Sequence, residues 1–273
     1  MTRPRLALVT GAGGGIGLGV ARMLRERGYR IVAVDISDAA AASAAERIGG
    51  GAIPVACDAS DRAQVAALAD RIRGEWSAEL DVLVCNAGII VPGTVAESAP
   101  DALTLQLDVM LGFPVQLINA AVPAFVARGN GHVLATVSMG GILSLPGSAV
   151  YSAAKSGLRA FLTALSAELA GSGVAVSGIY PSAVDTAMLR HEARHGGSML
   201  NFLGTVFTVD DVVKGYERAL RTRRLEVYLP YIDSVTSRLA HFWPGASNRL
   251  LPVLDRLGKR GHAKYLARID AEG

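Results

Sequence analysis

Short apolar runs alternate with longer stretches of helical periodicity along most of the chain. The apolar runs lie at 6–9, 30–35, 52–57, 81–85, 131–138, 174–180 and 225–229. Between them, helical patterns cover 16–27, 38–48, 61–73, 100–127, 151–170 and 208–222. Apolar strands separated by helices are typical of a parallel sheet with both faces covered. The sequence therefore predicts an α/β fold, a doubly wound parallel sheet of the Rossmann type.

A glycine-rich turn follows the first apolar run. It reads Thr10-Gly-Ala-Gly-Gly-Gly-Ile-Gly17 and leads directly into a helical pattern. A strand, a glycine turn and a helix in this order present backbone N–H groups and a helix N-terminus to a phosphate. The turn therefore predicts a dinucleotide site.

The second apolar run ends in Asp35, about 20 residues beyond the glycines, where a carboxylate would accept a hydrogen bond from a ribose 2′-hydroxyl. Such a carboxylate would repel a 2′-phosphate. No basic residue follows before Arg47. We therefore expect NAD as the cofactor rather than NADP.

Tyr151 and Lys155 are four residues apart, and Ser138 lies thirteen residues upstream of the tyrosine. On a helix, positions four apart share one face. A neighbouring ammonium favours the phenolate and lowers the pKa of a tyrosine. The pattern predicts proton transfer at a substrate oxygen, with Ser138 holding that oxygen.

Polar or glycine residues follow the first five predicted strands where each strand ends. They are Gly11, Asp35, Asp58, Asn86 and Ser138. In an open parallel sheet, ligands bind beyond the carboxyl ends of the strands. We expect these residues to meet at one edge.

Over roughly residues 5–230 these motifs resemble the classical short-chain dehydrogenase/reductase family. Besides the glycine turn and the catalytic Ser138, Tyr151 and Lys155, Cys85-Asn-Ala-Gly88 is similar to N-N-A-G, and Pro181-Ser-Ala-Val-Asp-Thr186 is similar to P-G-x-V-x-T. The resemblance implies cofactor binding by Gly11, Gly15, Ile16, Gly17, Asp35, Asp58, Asn86, Ala87, Gly88, Tyr151, Lys155, Pro181, Val184 and Thr186.

The same resemblance implies a role for each residue. Tyr151 would be the general base in oxidation and the general acid in reduction. Lys155 would lower its pKa and bind the nicotinamide ribose, Asp58 would meet the adenine, and Thr186 would bind the carboxamide. We expect residues 1–230 to form the dinucleotide-binding and catalytic domain. Residues 231–273 would form a helical, basic extension packed on that domain or at a subunit interface.

Two positions depart from the family pattern. Met110 stands where an asparagine supports a proton relay, and Pro114 lies four residues later. Proline has no N–H, so either it frees the Met110 carbonyl to hold the relay water, or it only kinks the helix. Ser182 stands where the family has a glycine. The alternatives are a strained or reshaped loop and a contact of the serine hydroxyl with the cofactor or substrate.

Apolar residues dominate the segment expected to cover the site. They are Met188, Leu189, Met199, Leu200, Phe202, Leu203, Val206 and Phe207, and Ile142, Leu143 and Leu145 follow the catalytic serine. We favour an apolar substrate over the alternative that these side chains only pack the cover.

The tail from Arg221 carries ten Lys and Arg against five Asp and Glu, while the whole chain has a net charge of +3. A basic, partly apolar tail can lie on an anionic membrane, but packing on its own domain or on a sister subunit is the favoured alternative. Nucleic-acid binding is not expected because the charge is dispersed and no reading motif is present. A homodimer or homotetramer through the long helices near 100–127 and 151–170 is expected from the resemblance.

Several classes of protein are excluded by composition. No apolar run approaches the ~20 residues of a membrane span, and too few apolar residues precede the glycine turn for a signal peptide. Cys57 and Cys85 each end an apolar run and are expected to be buried free thiols, which favours the cytoplasm. Five scattered histidines, including His191 and His195, do not indicate a metal site.

Together these patterns predict a NAD-dependent oxidoreductase that interconverts an apolar secondary alcohol and its ketone. Two alternatives remain open. One is an NADPH-dependent carbonyl reductase, against which Asp35 argues. The other is a non-catalytic NAD-binding regulator, which only the departures at Met110 and Ser182 favour.

Overall fold

The chain forms a layered structure of strands and helices in a computed structural model that describes residues 5–272, apart from the side chains at 241, 244, 246–248 and 272. The strands are β1 (Leu6–Thr10), β2 (Arg30–Asp35), β3 (Ile53–Ala56), β4 (Leu80–Cys85), β5 (Gly131–Thr136), β6 (Val174–Pro181) and β7 (Glu226–Leu229). The helices are α1 (Gly15–Glu26), α2 (Asp38–Ile48), α3 (Arg62–Arg73), α4 (Pro100–Leu107), α5 (Phe113–Arg128), α6 (Ala149–Glu168), α7 (Ala187–His195), α8 (Val209–Thr222), α9 (Tyr231–Phe242) and α10 (Pro244–Glu272). The side chain of His241 and residues 1–4 and 273 lie outside the described part.

All seven strands pair in parallel in the order β3-β2-β1-β4-β5-β6-β7. In β1, Leu8 lies opposite Val32 on one side and Leu83 on the other. The order reverses between β1 and β4, and the crevice at such a reversal is where doubly wound sheets bind ligands. The predicted α/β fold is confirmed, and each predicted strand lies within about two residues of its observed position.

Side chains of alternate strand residues belong to two hydrophobic cores, one on each face of the sheet. Leu6 and Leu8 pack with α3, α5 and α6, and Ala7 and Val9 pack with α1, α2 and α8. Because a strand side chain points to alternate faces, a strand covered on both sides is apolar throughout. This is why the strands are readable as unbroken apolar runs.

The helix predicted over 100–127 is interrupted in its middle. A π-helical turn, Asp108–Gly112, separates α4 from α5, and the N–H of Phe113 bonds to the carbonyl of Asp108. Such turns often occur at functional sites. Pro114, which cannot donate a backbone hydrogen bond, lies just beyond the turn. The structure thus contains a widened turn at Met110 where the sequence predicted either a freed carbonyl or a kink.

Within residues 5–272, Pro100–Arg128 is the one stretch long and apolar enough to cross a membrane by length and composition. Half of its apolar window is buried inside the protein. Leu117, Ile118 and Phe125 belong to the core beneath the sheet. A buried core helix passes the same test, so this stretch carries little evidence for a span.

The last helix covers the segment that follows β6. Tyr265 and Ile269 of α10 form a small core with Leu189 of α7 and with Phe202. The Tyr265 hydroxyl donates to Asp185 Oδ1 at 2.8 Å, and Arg268 donates to the other oxygen at 2.6 Å. These contacts attach α10 to the cover of the carboxyl edge.

Two glycines of α10 permit this close packing. A Cβ on Gly261 would lie 2.0 Å from the Phe202 carbonyl oxygen, and one on Gly258 would lie 2.2 Å from the Met199 oxygen. Neither position can therefore accept a larger residue without displacing the helix from the cover.

The Gly261→Ala substitution is expected to lower the free energy of unfolding by about 1–3 kcal/mol, because overpacking exceeds the gain in helix propensity. Thermal unfolding and hydrogen exchange of α10 would measure it. Gly245→Ala in the same helix is the matched control, since a Cβ there meets no atom within 4 Å. Equal stability of the two variants would contradict the packing described for α10.

Candidate active site

The residues expected at one edge of the sheet do meet there. Gly11 follows β1, Asp35 ends β2, Asn86 follows β4, and Ser138 lies two residues beyond β5. Pro181 ends β6. Because the strands are parallel, these positions all lie at the carboxyl edge around the crevice between β1 and β4.

The glycine turn packs against the loop after β4. A Cβ on Gly17 would lie 2.0 Å from the Gly11 oxygen and 2.6 Å from Asn86 Nδ2. Gly11 has a φ of 63°, which other residues rarely adopt. Glycine at these two positions is thus required by the close approach of α1 to the turn.

The start of α1 suits an anionic ligand. Its N-cap is Gly14, which has no side chain to accept the first N–H groups, and no acidic residue lies in the first turn. A Cβ on Gly14 would meet no atom within 4 Å. Unpaired donors at an open helix N-terminus are what a pyrophosphate requires. The residues present therefore fit a dinucleotide.

Asp35 lies against the glycine turn. Its Oδ2 accepts a hydrogen bond from the Gly13 N–H at 2.7 Å, and its Oδ1 accepts one from the Ile36 N–H at 2.9 Å. The guanidinium of Arg47 donates to the Gly13 oxygen at 2.5 Å. Although Arg47 is twelve residues beyond Asp35 in the sequence, α2 brings its positive charge back to the turn.

Asn86 connects three strand ends through hydrogen bonds. Its N–H and that of Ala87 donate to Thr10 Oγ1 at 2.9 and 3.0 Å, and its Nδ2 donates to the Thr10 oxygen at 3.1 Å. Thr136 Oγ1 donates to Asn86 Oδ1 at 2.8 Å. Since that hydroxyl has one hydrogen, the Tyr216 hydroxyl 2.5 Å away donates to it. The network holds the ends of β1, β4 and β5 together.

Ser138, Tyr151 and Lys155 are brought together beside this network. Tyr151 and Lys155 lie on α6, and the Lys155 Nζ is 6.0 Å from the centre of the Tyr151 ring. The Ser138 side chain lies near enough to Tyr151 to lower the pKa of the tyrosine. Gly140, between them in sequence, donates its N–H to Ser138 Oγ at 3.0 Å, and a Cβ on it would lie 2.9 Å from the tyrosine ring.

Burial acts on the charges of this triad. Removal from water raises the pKa of Tyr151 to about 12, although the Ser138 side chain lowers it. Burial lowers the pKa of Lys155 to about 8. The Lys155 ammonium donates to the Thr136 oxygen at 2.7 Å, and the lowering of the tyrosine pKa by Lys155 stays a prediction.

The other sequence-predicted residues line the same edge. Gly15, with a φ of 48°, faces the Thr186 methyl, which a Cβ would approach to 3.3 Å. Val184 is buried and bridges to Phe207. Ile16 and Ala87 pack at the margins of the two cores, and Gly88 faces Met110. The carboxylate of Asp58 accepts two hydrogen bonds from Ser60, at 2.7 and 2.9 Å.

The two departures from the family pattern have structural outcomes. Met110 is fully buried in an apolar cluster with Val109 and Ala154, against which Tyr151 packs. Ser182 does not have a positive φ, so strain at this position is excluded. Its hydroxyl instead donates to Asp233 Oδ2 of α9 at 2.5 Å. The polar contact of Ser182 is thus with the C-terminal helices, and contact with the cofactor or substrate stays a prediction.

Part of the predicted apolar lining is used for packing. Leu189 and Phe202 lie in the core under α10, Val206 packs against that core, and Phe207 packs against α8. Ile142 is buried beneath the sheet. The residues that stay partly exposed are Met188, Met199, Leu200, Leu203, Leu143 and Leu145. The lining is therefore narrower than the sequence indicated, because α10 covers one side of it.

Glu192 on α7 is a buried carboxyl that the sequence analysis did not identify. It is 7% exposed and accepts one long hydrogen bond, 3.4 Å, from Asn201 Nδ2. Burial raises the pKa of Glu192 to about 7, and its charge raises the pKa of Tyr151 further. The sequence offered little signal for it, because Glu192 lies among the basic residues of Arg190–His195.

The cysteine and metal predictions can be compared with the described residues. Cys57 and Cys85 are free and buried. Desolvation raises the pKa of the Cys57 thiol to about 11 and that of Cys85 to about 12, so both stay protonated. His191 and His195 stack on each other at 4.3 Å. Within residues 5–272, apart from the side chains excluded above, no group of three metal-ligating side chains is found.

Comparisons relate the chain to known proteins. The family model described as short chain dehydrogenase matches residues 5–196. The 3-oxoacyl-(acyl-carrier-protein) reductase of Escherichia coli (strain K12) is 29% identical over 186 residues, which are 68% of this chain and 76% of that protein.

Two solved structures are similar in fold and sequence. A short-chain dehydrogenase from Sphingobium yanoikuyae in complex with NADPH has a TM-score of 0.76 and 26% identity, over 91% of this chain and 95% of that one. The 3-ketoacyl-(acyl-carrier-protein) reductase from Brucella melitensis complexed with NADH has a TM-score of 0.71 and 26% identity, over 83% and 97%.

The raised pKa of Glu192 predicts a pH dependence of stability. Between its ordinary pKa of 4.5 and about 7, the folded protein keeps a proton that the unfolded chain releases. The free energy of unfolding therefore falls as the pH rises through this range. Glu192→Gln is expected to stabilise the protein at pH 8 by on the order of 2 kcal/mol and to have little effect at pH 5.

Thermal unfolding across this pH range measures the difference, with the exposed Glu168→Gln as the matched control. Loss of the Glu192 charge is also expected to move the tyrosine titration to lower pH, since that charge raises the pKa of Tyr151. A pH-independent difference between Glu192→Gln and the unaltered protein would contradict the assignment of a buried titrating carboxyl.

Proposed function

The chain belongs to the short-chain dehydrogenase family, and from this premise we propose that it interconverts an apolar secondary alcohol and its ketone with NAD as cofactor. The observation that carries the proposal is the position of Ser138, Tyr151 and Lys155 at the same sheet edge as the open N-terminus of α1. A proton-transferring group thus lies beside a dinucleotide site.

Tyr151 is the proposed general acid and base. Its hydroxyl gives a proton to the substrate oxygen in reduction and takes it back in oxidation, and Ser138 orients that oxygen. A nicotinamide cofactor held by the glycine turn Gly11–Gly17 would supply the hydride chemistry and, in its oxidised form, a positive charge at the site. A tyrosine with a pKa of about 12 needs this charge and that of Lys155 to act as a base near neutral pH.

The cofactor would be held along the carboxyl edge. The turn Gly11–Gly17, including Gly15 and Ile16, would bind the pyrophosphate, with Asp35 at the adenosine ribose and Asp58 at the adenine. Asn86, Ala87 and Gly88 would line the path to the nicotinamide. Pro181, Val184 and Thr186 would contact the nicotinamide, and Lys155 its ribose.

The preference for NAD rests on Asp35. Its carboxylate lies against the glycine turn, where it would repel a 2′-phosphate on the adenosine ribose. The contact between Arg47 and Gly13 favours an NADPH-dependent carbonyl reductase as the second candidate. Relatives with NADPH and with NADH bound are both known.

An apolar substrate is supported by the cover of the site. Met188, Met199 and Leu200 of the cover stay partly exposed.

We further propose a cytoplasmic homodimer or homotetramer, for which the exposed Leu107 and Val126 provide apolar surface.

The first test is NADH formation from a panel of apolar secondary alcohols. Tyr151→Phe removes the proton-transferring hydroxyl and is expected to lower kcat by roughly 10²–10⁴-fold. Tyr231→Phe, at an exposed tyrosine, is the matched control and should retain activity. Cofactor binding without turnover in the unaltered protein would instead support a non-catalytic regulator.

The second test separates the two cofactors. The unaltered protein is expected to prefer NAD over NADP in kcat/KM by at least tenfold, since the carboxylate repels the 2′-phosphate. Asp35→Ala should reduce this ratio, and Arg47→Gln should increase it by removing the attractive charge. A preference for NADP in the unaltered protein would reject the NAD assignment and leave the reductase candidate.

A further inference from the structure

Exposed apolar side chains are concentrated in the C-terminal helices. Of thirteen exposed large apolar residues in the described part of the chain, eight lie within 231–257. They are Tyr231, Ile232, Leu239, Phe242, Trp243, Leu250, Val253 and Leu257. Folded proteins rarely expose contiguous apolar patches of this kind unless the patch binds a partner.

On α10 the apolar residues share one face. Leu250, Val253 and Leu257 are spaced by three and four residues, so they form a single ridge. Their exposure shows that this ridge points away from the protein. Further along α10, Gly258, Gly261, Tyr265 and Ile269 pack on the cover of the carboxyl edge.

Basic residues flank the apolar ridge. Arg249, Arg256 and Arg260 are exposed and spaced by seven and four residues, so they line up beside it. Among the described residues, none of these three arginines forms an ion pair with a carboxylate, and Lys259 makes only a 3.9 Å contact with Asp255. The face therefore presents a band of positive charge next to apolar side chains.

We propose that this face, the eight apolar residues together with Arg249, Arg256 and Arg260, docks on an anionic lipid surface. Apolar side chains beside a basic band are typical of helices that lie in the membrane interface. Phe242 and Trp243 lie at the junction of α9 and α10, and aromatic residues prefer the headgroup level. For the tail, the sequence favoured packing on its own domain or on a sister subunit over an anionic membrane. The exposure of this face favours the membrane instead.

A second copy of the chain is a poorer occupant of the same face. A symmetric dimer places the same patch of both chains together. The arginine bands would then face each other, and like charges across an interface are unfavourable. An anionic bilayer offers the complementary charge along with an apolar layer.

Docking would also orient the active site. Because the part of α10 that follows the ridge packs on the segment that holds Leu189 and Phe202, the bilayer would lie next to the cover. An apolar substrate dissolved in the bilayer would then reach the cover without crossing water. This consequence, unlike the docking itself, rests on the proposed function.

Vesicle binding tests the proposal directly with the full-length protein. Co-sedimentation is measured with phosphatidylcholine vesicles and with vesicles that also contain phosphatidylglycerol. We expect binding to the anionic vesicles that weakens with added salt, since salt screens the basic band. Trp243 is 67% exposed and Trp76 is 4% exposed. A blue shift in tryptophan emission on binding would thus report Trp243 entering the interface.

Two variants separate the apolar and the charged contributions. Leu250→Glu combined with Leu257→Glu removes the ridge and should abolish binding. The triple change of Arg249, Arg256 and Arg260 to Gln should weaken binding to anionic vesicles at least tenfold, at about fivefold per charge. Ala67→Glu, at an exposed apolar residue of α3, is the control and should bind normally.

The unaltered protein's failure to bind anionic vesicles would overturn the proposal. So would binding that is equal in all variants, or a patch variant that only converts a dimer to a monomer in ultracentrifugation. Circular dichroism and turnover of a water-soluble alcohol confirm that each variant is folded. Turnover without vesicle binding would reject docking alone, whereas vesicle binding without turnover would reject the proposed function alone.

Discussion

The hydrogen bonds around Asn86 are the constraint on which the site depends. They join the ends of β1, β4 and β5 at the point where the strand order reverses. Thr136 takes part twice, because its hydroxyl donates to Asn86 while its carbonyl accepts from Lys155. The glycine turn and the lysine are therefore positioned by one buried network, which is rigid because every buried polar group in it has a partner.

Burial shifts the pKa values of Tyr151 and Lys155 in opposite directions. It disfavours the charged form of each group, and so it raises the pKa of Tyr151 and lowers that of Lys155. Glu192, buried in the cover, adds a negative charge that opposes tyrosine ionisation. The proton chemistry of this site is thus governed by desolvation, and a positively charged cofactor would counteract it.

The C-terminal helices hold the segment that follows β6 from both ends. Asp233 of α9 bonds to Ser182, and Tyr265 and Arg268 of α10 bond to Asp185. Apolar cover residues such as Leu189 and Phe202 are buried by this packing. The C-terminal helices therefore shape the site without adding a strand to the sheet. Their outer face stays exposed and could bind a lipid surface.

The sequence by itself determined the strands, the glycine turn, the spacing of Tyr151 and Lys155, and the family, because these are local patterns of a few residues. The tertiary structure decided the rest. Only folding brings Arg47 to Gly13, Glu192 near Tyr151 and Asp233 to Ser182. The sequence did not indicate the π-helical turn at Met110, because the spacing of its apolar residues is nearly that of an α-helix. Contacts between residues far apart in the chain, and the desolvation they cause, leave no periodic signal in the sequence.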